Sequence, residues 1–223
     1  MITLKKLQNW MKKNHKDIFL INRSDEFLSE YIAEYAERVK WITGFSGSAG
    51  VAIVLKESAA IFVDGRYSLQ VSEQVDTETF ETLHVTENPP WKWAEENLSA
   101  GARLGYDPWL LSDTVRAHYQ KALDPVGAKL VCVDGNPIDA IWINQPAAPL
   151  APVVPHDLAY AGKEAEGKRE DIAKILVEVN QDAALISAPE SVAWLLNVRG
   201  GDVPYTPLAL SYAILMMFKG LLT

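Results

Sequence analysis

Val39-Lys-Trp41-Ile-Thr-Gly-Phe45-Ser-Gly47 and Val192-Ala-Trp194-Leu-Leu-Asn-Val198-Arg-Gly200 carry one pattern twice, and that pattern decides the fold. A Val-x-Trp match alone arises easily by chance. The upstream segment also recurs: Asn14-His-Lys-Asp17-Ile-Phe-Leu-Ile21 resembles Asn180-Gln-Asp182-Ala-Ala-Leu-Ile186, each after an amphipathic helical stretch. The downstream segment recurs as well, because both copies run through a polar turn into an apolar strand, over residues 51–55 and 209–217. Helix, strand, helix and strand in the same order imply two copies of one fold, with a shorter connection in the second. Position 200 corresponds to position 47, so residue 223 corresponds to about residue 70 of the first copy. The second copy therefore reads as cut off near its middle.

Outward from the repeat, the chain alternates between two periodicities. Leu4, Leu7, Trp10 and Met11 fall at helical spacing with Lys5, Lys6, Lys12 and Lys13 on the other side, which predicts a surface helix with a solvated lysine face. Residues 17–21 read as a buried strand, residues 38–43 as a helix, and residues 51–55 and 59–63 as two strands joined by Lys56-Glu57-Ser58. A helix is expected over 66–74, then strands and helices in turn over 81–85, 91–98, 103–106, 114–122 and 129–133. This alternation predicts an α/β protein, a mixed β-sheet flanked by helices. Pro146, Pro149, Pro152 and Pro155 recur at the three-residue period of polyproline II, which suits a semi-rigid linker. The expected organisation is a first domain over residues 1–145, a linker over 146–160, and the first part of a second domain over 161–223. There a helix is expected over 168–179, a strand over 183–187 and a proline-started helix over 189–196. The apolar tail, residues 208–218 with Leu221 and Leu222, has too few partner strands to cover it. An edge of that kind implies a longer parent protein or an intermolecular partner, and truncation is the expectation.

Composition narrows the functional classes. The chain has 223 residues, 48% apolar and 22% charged, with 21 basic and 29 acidic side chains and a net charge of −8. That balance disfavours a non-specific nucleic-acid binder. One cysteine, Cys132, leaves no intrachain disulfide and makes a reducing compartment the default. The first 16 residues hold five lysines but no apolar signal core, and the uncharged apolar stretch over residues 203–218 contains Pro204, Pro207 and Ser211. Neither a secretory signal nor a membrane span is read there. The expectation is a soluble, cytoplasmic protein with no nucleic-acid or membrane partner.

A search for chemistry returns little. Gly44-Phe-Ser46-Gly-Ser48 approaches a nucleophile elbow but has Ser48 where the last glycine belongs. Gly47-Ser-Ala-Gly50 lacks both the lysine of a phosphate loop and the dinucleotide spacing, so it reads as a structural turn. His15, His84, His118 and His156 are scattered, with no pair at metal-ligand spacing. Cys132, in the apolar run 130–133, is expected to be a buried, inert thiol. The most informative polar cluster is Asp64-Gly-Arg66-Tyr67, at the end of a strand and the start of a helix. It either binds a carboxylate, or Asp64 caps the helix while Arg66 pairs within the domain. Arg199-Gly-Gly-Asp202-Val-Pro204 is a similar loop in the second copy, read as a turn with an internal ion pair.

At these residues a family resemblance enters. The stretch Arg38-Val-Lys-Trp41-Ile-Thr-Gly-Phe-Ser-Gly-Ser-Ala-Gly50, then Phe62-Val-Asp-Gly-Arg-Tyr67 with Gln70 a turn later, resembles the first domain of the three-domain aminopeptidases P. Ser191-Val-Ala-Trp-Leu-Leu-Asn-Val-Arg-Gly-Gly-Asp-Val-Pro204, followed by Pro207 and Leu210-Ser-Tyr212, is similar to their second domain. The resemblance implies the creatinase-like N-terminal fold, once complete and once truncated. It implies that a third domain, absent from this sequence, holds two divalent ions, Mn or Zn, on two Asp, one His and two Glu, and cleaves the bond before proline. No catalytic or metal residue carries over, so this chain alone should be inactive. The implied role is the non-catalytic N-terminal region of an Xaa-Pro aminopeptidase. It would shape access for proline-containing peptides and contribute to homodimer contacts. Asp64, Arg66, Tyr67, Arg199 and Asp202 are the substrate-access or structural candidates. The acidic stretch between Glu73 and Glu96 would help to orient a substrate's amino terminus. The alternative is a stand-alone creatinase-fold module that binds peptides or proteins without catalysis.

Overall fold

The computed structural model describes residues 2–216, and the chain divides into two compact units, Met1–Ala147 and Ala148–Thr223. The first unit is built on β1 (Ile18–Asn22), whose first four residues are all buried. Alternate side chains of this strand point to opposite faces, so an apolar run buried throughout needs cover above and below. Before it stands α1 (Ile2–Lys13), which buries Leu4, Leu7 and Met11 and leaves its lysines outside. After it come α2 (Arg38–Thr43), β2 (Gly50–Leu55), β3 (Ala59–Val63), α3 (Ser68–Gln74), β4 (Glu81–His84), α4 (Pro90–Asn97), β5 (Arg103–Tyr106), α5 (Asp113–Leu123), β6 (Lys129–Cys132) and α6 (Pro137–Ile141).

The six strands form one sheet in the order β4-β3-β2-β1-β5-β6. Only β2 runs against its neighbours, because the short turn after Leu55 folds β3 straight back on it; Leu55 N–H donates to the Ser58 carbonyl at 2.8 Å. All other pairs are parallel, so the sheet is mixed. Phe19 and Ile21 pack on one face with Leu7, Met11, Val39, Ile42, Val71 and Ile138, drawn from α1, α2, α3 and α6. Ile18 and Leu20 pack on the other with Trp93, Ala94, Tyr119 and Leu123 from α4 and α5. Each such side chain contributes roughly 1.5–3 kcal/mol when fully buried, which makes the two-sided cover of β1 the dominant local term.

The second unit contains β7 (Val154–Pro155), α7 (Leu158–Ala161), α8 (Ala165–Glu178), β8 (Ala183–Ile186), α9 (Pro189–Leu196), β9 (Val198–Arg199) and β10 (Ala213–Met216). β8 pairs antiparallel with β10, as β1 does with β2, and β7 pairs antiparallel with β9. The proline-rich segment is extended, and its second half is tied into this unit by β7 and by Ala151, whose N–H donates to the Asp202 carboxylate at 2.8 Å.

Backbone geometry repeats between the units. α1 and α8 both end on a left-handed residue, His15 (φ 52°) and Asn180 (φ 53°). The next amide then reaches back identically: Lys16 to the Met11 carbonyl and Gln181 to the Leu176 carbonyl, each at 2.9 Å. The structural partner of Asn180 is thus His15, one place after the Asn14 that the sequence match suggested. α2 and α9 end on left-handed Gly44 (φ 85°) and Asn197 (φ 50°), the two residue types that tolerate this conformation best. Asn197 replaces the missing glycine usefully. Its side-chain amide donates to the Lys163 carbonyl at 2.9 Å, and its oxygen accepts from Lys168 at 2.6 Å. Lys168 is buried, also donates to the Trp194 carbonyl at 3.0 Å, and lies 4.7 Å from the Trp194 ring centroid. A cation is thereby held against the carboxyl end of α9, where the helix dipole favours it.

Two expectations need correction. The strand expected over 209–217 begins only at Ala213, because residues 207–210 are held in a loop closed by the Gly200 amide, the Asp202 amide and the Asp202 carboxylate. Met217, Phe218, Leu221 and Leu222 lie outside the described residues. Cys132 is exposed rather than buried, since β6 is the edge of the sheet and its side chains are covered on one side at most.

Two glycines of the second unit, Gly200 and Gly167, give an expected outcome. A Cβ on Gly200 would stand 2.6 Å from Ala209 N and 2.7 Å from its Cα, backbone that cannot yield. Gly200→Ala should cost roughly 2 kcal/mol or more in urea unfolding of this unit. Gly167→Ala, inside α8 and facing only the flexible Lys163 side chain at 2.9 Å, should instead be neutral or stabilising by up to about 1 kcal/mol. Equal effects would contradict the close approach at Gly200. Lys168→Met should lower stability by about 1–3 kcal/mol in the same assay, since two α9-terminal acceptors lose a charged donor.

Candidate functional site

β3 is buried along its whole length and ends at Val63, so the chain emerges at the sheet's rim at Asp64. The Asp64 carboxylate accepts from the Arg66 amide at 2.9 Å and caps a single 3-10 turn, Gly65–Tyr67, which leads into α3. The Arg66 guanidinium folds back on the same carboxylate: Nε reaches both oxygens at 3.1 Å and one terminal nitrogen reaches Oδ2 at 2.6 Å. It also lies over the Tyr67 ring, 5.3 Å from the centroid. Both readings of the motif are compatible with this geometry. Asp64 is a cap with an arginine partner, and Arg66, 69% exposed at its side chain, remains open to a second anion.

Tyr67 joins this turn to the glycine-rich one. Its hydroxyl is 2.6 Å from the Ser48 hydroxyl, and its ring meets Phe45 edge-on at 5.5 Å. Gly47 makes the packing possible, because a Cβ there would fall 2.2 Å from Phe45 Cζ and 2.8 Å from Tyr67 Cδ1. Ser46 is held by α3: its amide donates to Gln74 Oε1 at 2.9 Å, and its hydroxyl accepts from Gln70 at 3.1 Å. From the end of β1, Arg23 donates to the carbonyls of Ser48 and Glu30, each at 3.0 Å, and to the Glu37 carboxylate at 3.2 Å. Three segments far apart in sequence thus converge on one polar rim. Arg23 and Ser48 were missed by sequence reasoning, since a lone arginine and one serine of a turn have no pattern of their own.

The electrostatics arise from these contacts. The Arg66 guanidinium holds the Asp64 carboxyl below its ordinary range. The Ser48 hydroxyl lowers the Tyr67 phenol. Neither serine contacts a histidine: Ser46 is engaged by Gln70 and Gln74, and Ser48 by Tyr67. No base is bonded to either serine in these contacts, so neither hydroxyl is activated as a nucleophile by a neighbour here. Among the described residues no group of three or more His, Cys, Asp or Glu could hold a metal ion.

Arg199 and Asp202 have local work in the second unit. Arg199 donates to its neighbour's carbonyl, that of Val198, at 2.7 Å. Both Asp202 oxygens are taken by backbone amides, of Ala151 and Leu210, each at 2.8 Å. The ion pair expected between them does not form, because the Asp202 carboxylate is spent on closing the loop.

Asp64 gives a testable pH dependence. A lowered folded-state pKa contributes stability that is complete above the ordinary aspartate range, about pH 4, and is lost as pH falls through the folded value. The pair is solvent-screened, so the contribution should stay below about 1 kcal/mol. Urea midpoints for Asp64→Asn should equal those of the wild type near pH 2 and fall short near pH 6; a deficit independent of pH would refute the assignment.

Comparison with known proteins places this architecture. The creatinase/prolidase N-terminal domain family matches residues 3–143, and a second family of the same description matches residues 144–222. Probable Xaa-Pro aminopeptidase P proteins from Botryotinia fuckeliana and Talaromyces marneffei are 38% and 34% identical over 211 and 215 residues. Those alignments cover 93% and 95% of this chain but 32% and 33% of the relatives, so the chain spans about a third of their length. The crystal structure of an X-prolyl aminopeptidase from Caenorhabditis elegans, described as a cytosolic enzyme with a di-nuclear active site, superposes with a TM-score of 0.90 at 31% identity. It covers 96% of this chain and 37% of that one. The N-terminal domain of the cytoplasmic peptidase PepQ from Mycobacterium tuberculosis, at 21% identity and a TM-score of 0.50 over 62% of this chain, shares the fold. On both of its units, this chain belongs to the creatinase/prolidase N-terminal domain family.

Proposed function

We propose that this chain acts as the non-catalytic N-terminal region of an Xaa-Pro aminopeptidase, shaping access to an active site supplied by polypeptide outside this sequence. The observation that carries the reading is the superposition of both units on 37% of the C. elegans enzyme, in one alignment covering 96% of this chain. The described residues offer no donor set for a di-nuclear centre, so the two divalent ions, Mn or Zn, are assigned to the remainder of the protein. This chain contributes shape and charge. The Asp64–Arg66–Tyr67 rim presents a guanidinium that suits a peptide carbonyl or carboxylate, and the substrates are short peptides with proline in second position. We assign the protein to the cytosol, by likeness to the cytosolic C. elegans enzyme, and to a homodimer.

The test measures release of the first residue from an Xaa-Pro peptide with Mn²⁺, comparing this chain with a polypeptide extended through the catalytic region. The extended protein should turn over and the 223-residue chain should not; activity in the short chain would overturn the assignment. In the extended protein, Arg66→Ala should raise KM about three- to tenfold with kcat little changed, as expected for loss of a binding contact. An unchanged KM would remove Arg66 from the access role.

A further inference from the structure

The second unit contains a cavity of about 410 Å³ between α8, the end of β8 and α9, lined by Ile172, Leu185, Ile186, Ser191, Trp194 and Leu195. Its walls are mostly apolar, and Trp194 is 52% exposed. Such a concentration of open apolar surface beside one tryptophan marks a place where something docks. The internal repeat says what. With α8 on α1, β8 on β1 and α9 on α2, the lining residues Ile172, Trp194 and Leu195 correspond to Leu7, Trp41 and Ile42.

In the first unit the same place is closed by α6. Ile138 is fully buried in the cluster that contains Leu7 and Ile42. Four residues on, Trp142 stacks on Trp41 with ring centroids 5.4 Å apart and an interplanar angle of 21°. The plug is a short helix opened by Pro137 and capped by Asn136, with one aliphatic and one aromatic side chain a turn apart. It is latched by Asp139, whose oxygens accept from Arg38 at 2.8 and 2.9 Å.

We propose that the Trp194 cavity is the seat of a second plug of this kind: a short helix with a branched aliphatic residue and an aromatic residue four places apart, the aromatic stacking on Trp194. One difference sets its specificity. The residue corresponding to Arg38 is Ser191, so the second plug carries no acid at the place of Asp139. The source is polypeptide outside this sequence. This rests on the reading of the chain as part of a longer enzyme, and fits relatives of which it covers about a third.

The test uses the full 223-residue chain and synthetic α6 peptides spanning residues 135–147, one with the native aspartate and one with Asp139→Ala. Amide and indole NMR shifts are followed during titration to several millimolar. Saturable shifts are expected at Trp194 and across residues 185–195 with the alanine peptide, weakened at least about tenfold in Trp194→Ala. Because Trp194→Ala removes a large side chain, Ser191→Arg provides an independent arm. It should make the chain prefer the aspartate peptide over the alanine peptide by roughly three- to tenfold, by recreating the Arg38–Asp139 latch. Absence of shifts, shifts that survive Trp194→Ala, shifts confined to α1 and α2, or no change of preference in Ser191→Arg would each overturn the proposal. Since the readout is binding and not turnover, its failure leaves the aminopeptidase reading standing, and turnover by the short chain would fell that reading alone.

Discussion

A strand buried on both faces imposes its surroundings. β1 hides Ile18 and Leu20 on one side of the sheet and Phe19 and Ile21 on the other, so helices must lie above and below it. The layering of the first unit answers this demand. α1 and α2, the nearest elements in sequence, take one face together with α3 and α6; α4 and α5 take the other. β8 is the matching strand of the second unit, and its pairing with β10 reproduces the pairing of β1 with β2. Its described surroundings differ. Leu185 on β8 and its cross-strand partner Ile214 on β10 remain largely exposed, which is the half of the pattern that α4 and α5 complete in the first unit.

The rim at the end of β3 is a consequence of the same frame. Gly47 lets Phe45 and Tyr67 meet, Tyr67 reaches Ser48, and Asp64 holds Arg66 over the ring. The cluster has a fixed geometry with one exposed cationic end, and nothing in it is arranged to activate a nucleophile. Asp64 and Arg66 give this edge one paired acid and one base, with the guanidinium facing solvent.

Much of this was legible from residue order alone. The repeat, the hairpin of β2 and β3, and the Asp64-Gly-Arg66-Tyr67 turn all rest on local signals: periodicity, a three-residue polar turn, a strand-end aspartate before glycine. What was illegible depended on contacts across long sequence separations. Arg23 bonds Ser48 from 25 residues away, and Tyr67 meets Ser48 across 19. Residues 209–212 look like strand by composition, but the approach of Ala209 to Gly200 claims that backbone for a loop. Cys132 sits in an apolar run that is normally buried, and only the strand order reveals that β6 is an edge. Asp202, taken for half of an ion pair, has both oxygens claimed by amides 51 and 8 residues distant.

The central claim is that one module occurs twice, covered on both faces in the first unit and on one face in the second. Amide hydrogen exchange tests it most directly, comparing the 223-residue chain with a polypeptide extended beyond residue 223 to the length of the relatives it matches. The account predicts that protection of Ala183–Ile186 rises by about a hundredfold or more on extension, while Ile18–Asn22 is protected equally in both. Equal protection of Ala183–Ile186 in the two proteins would contradict it.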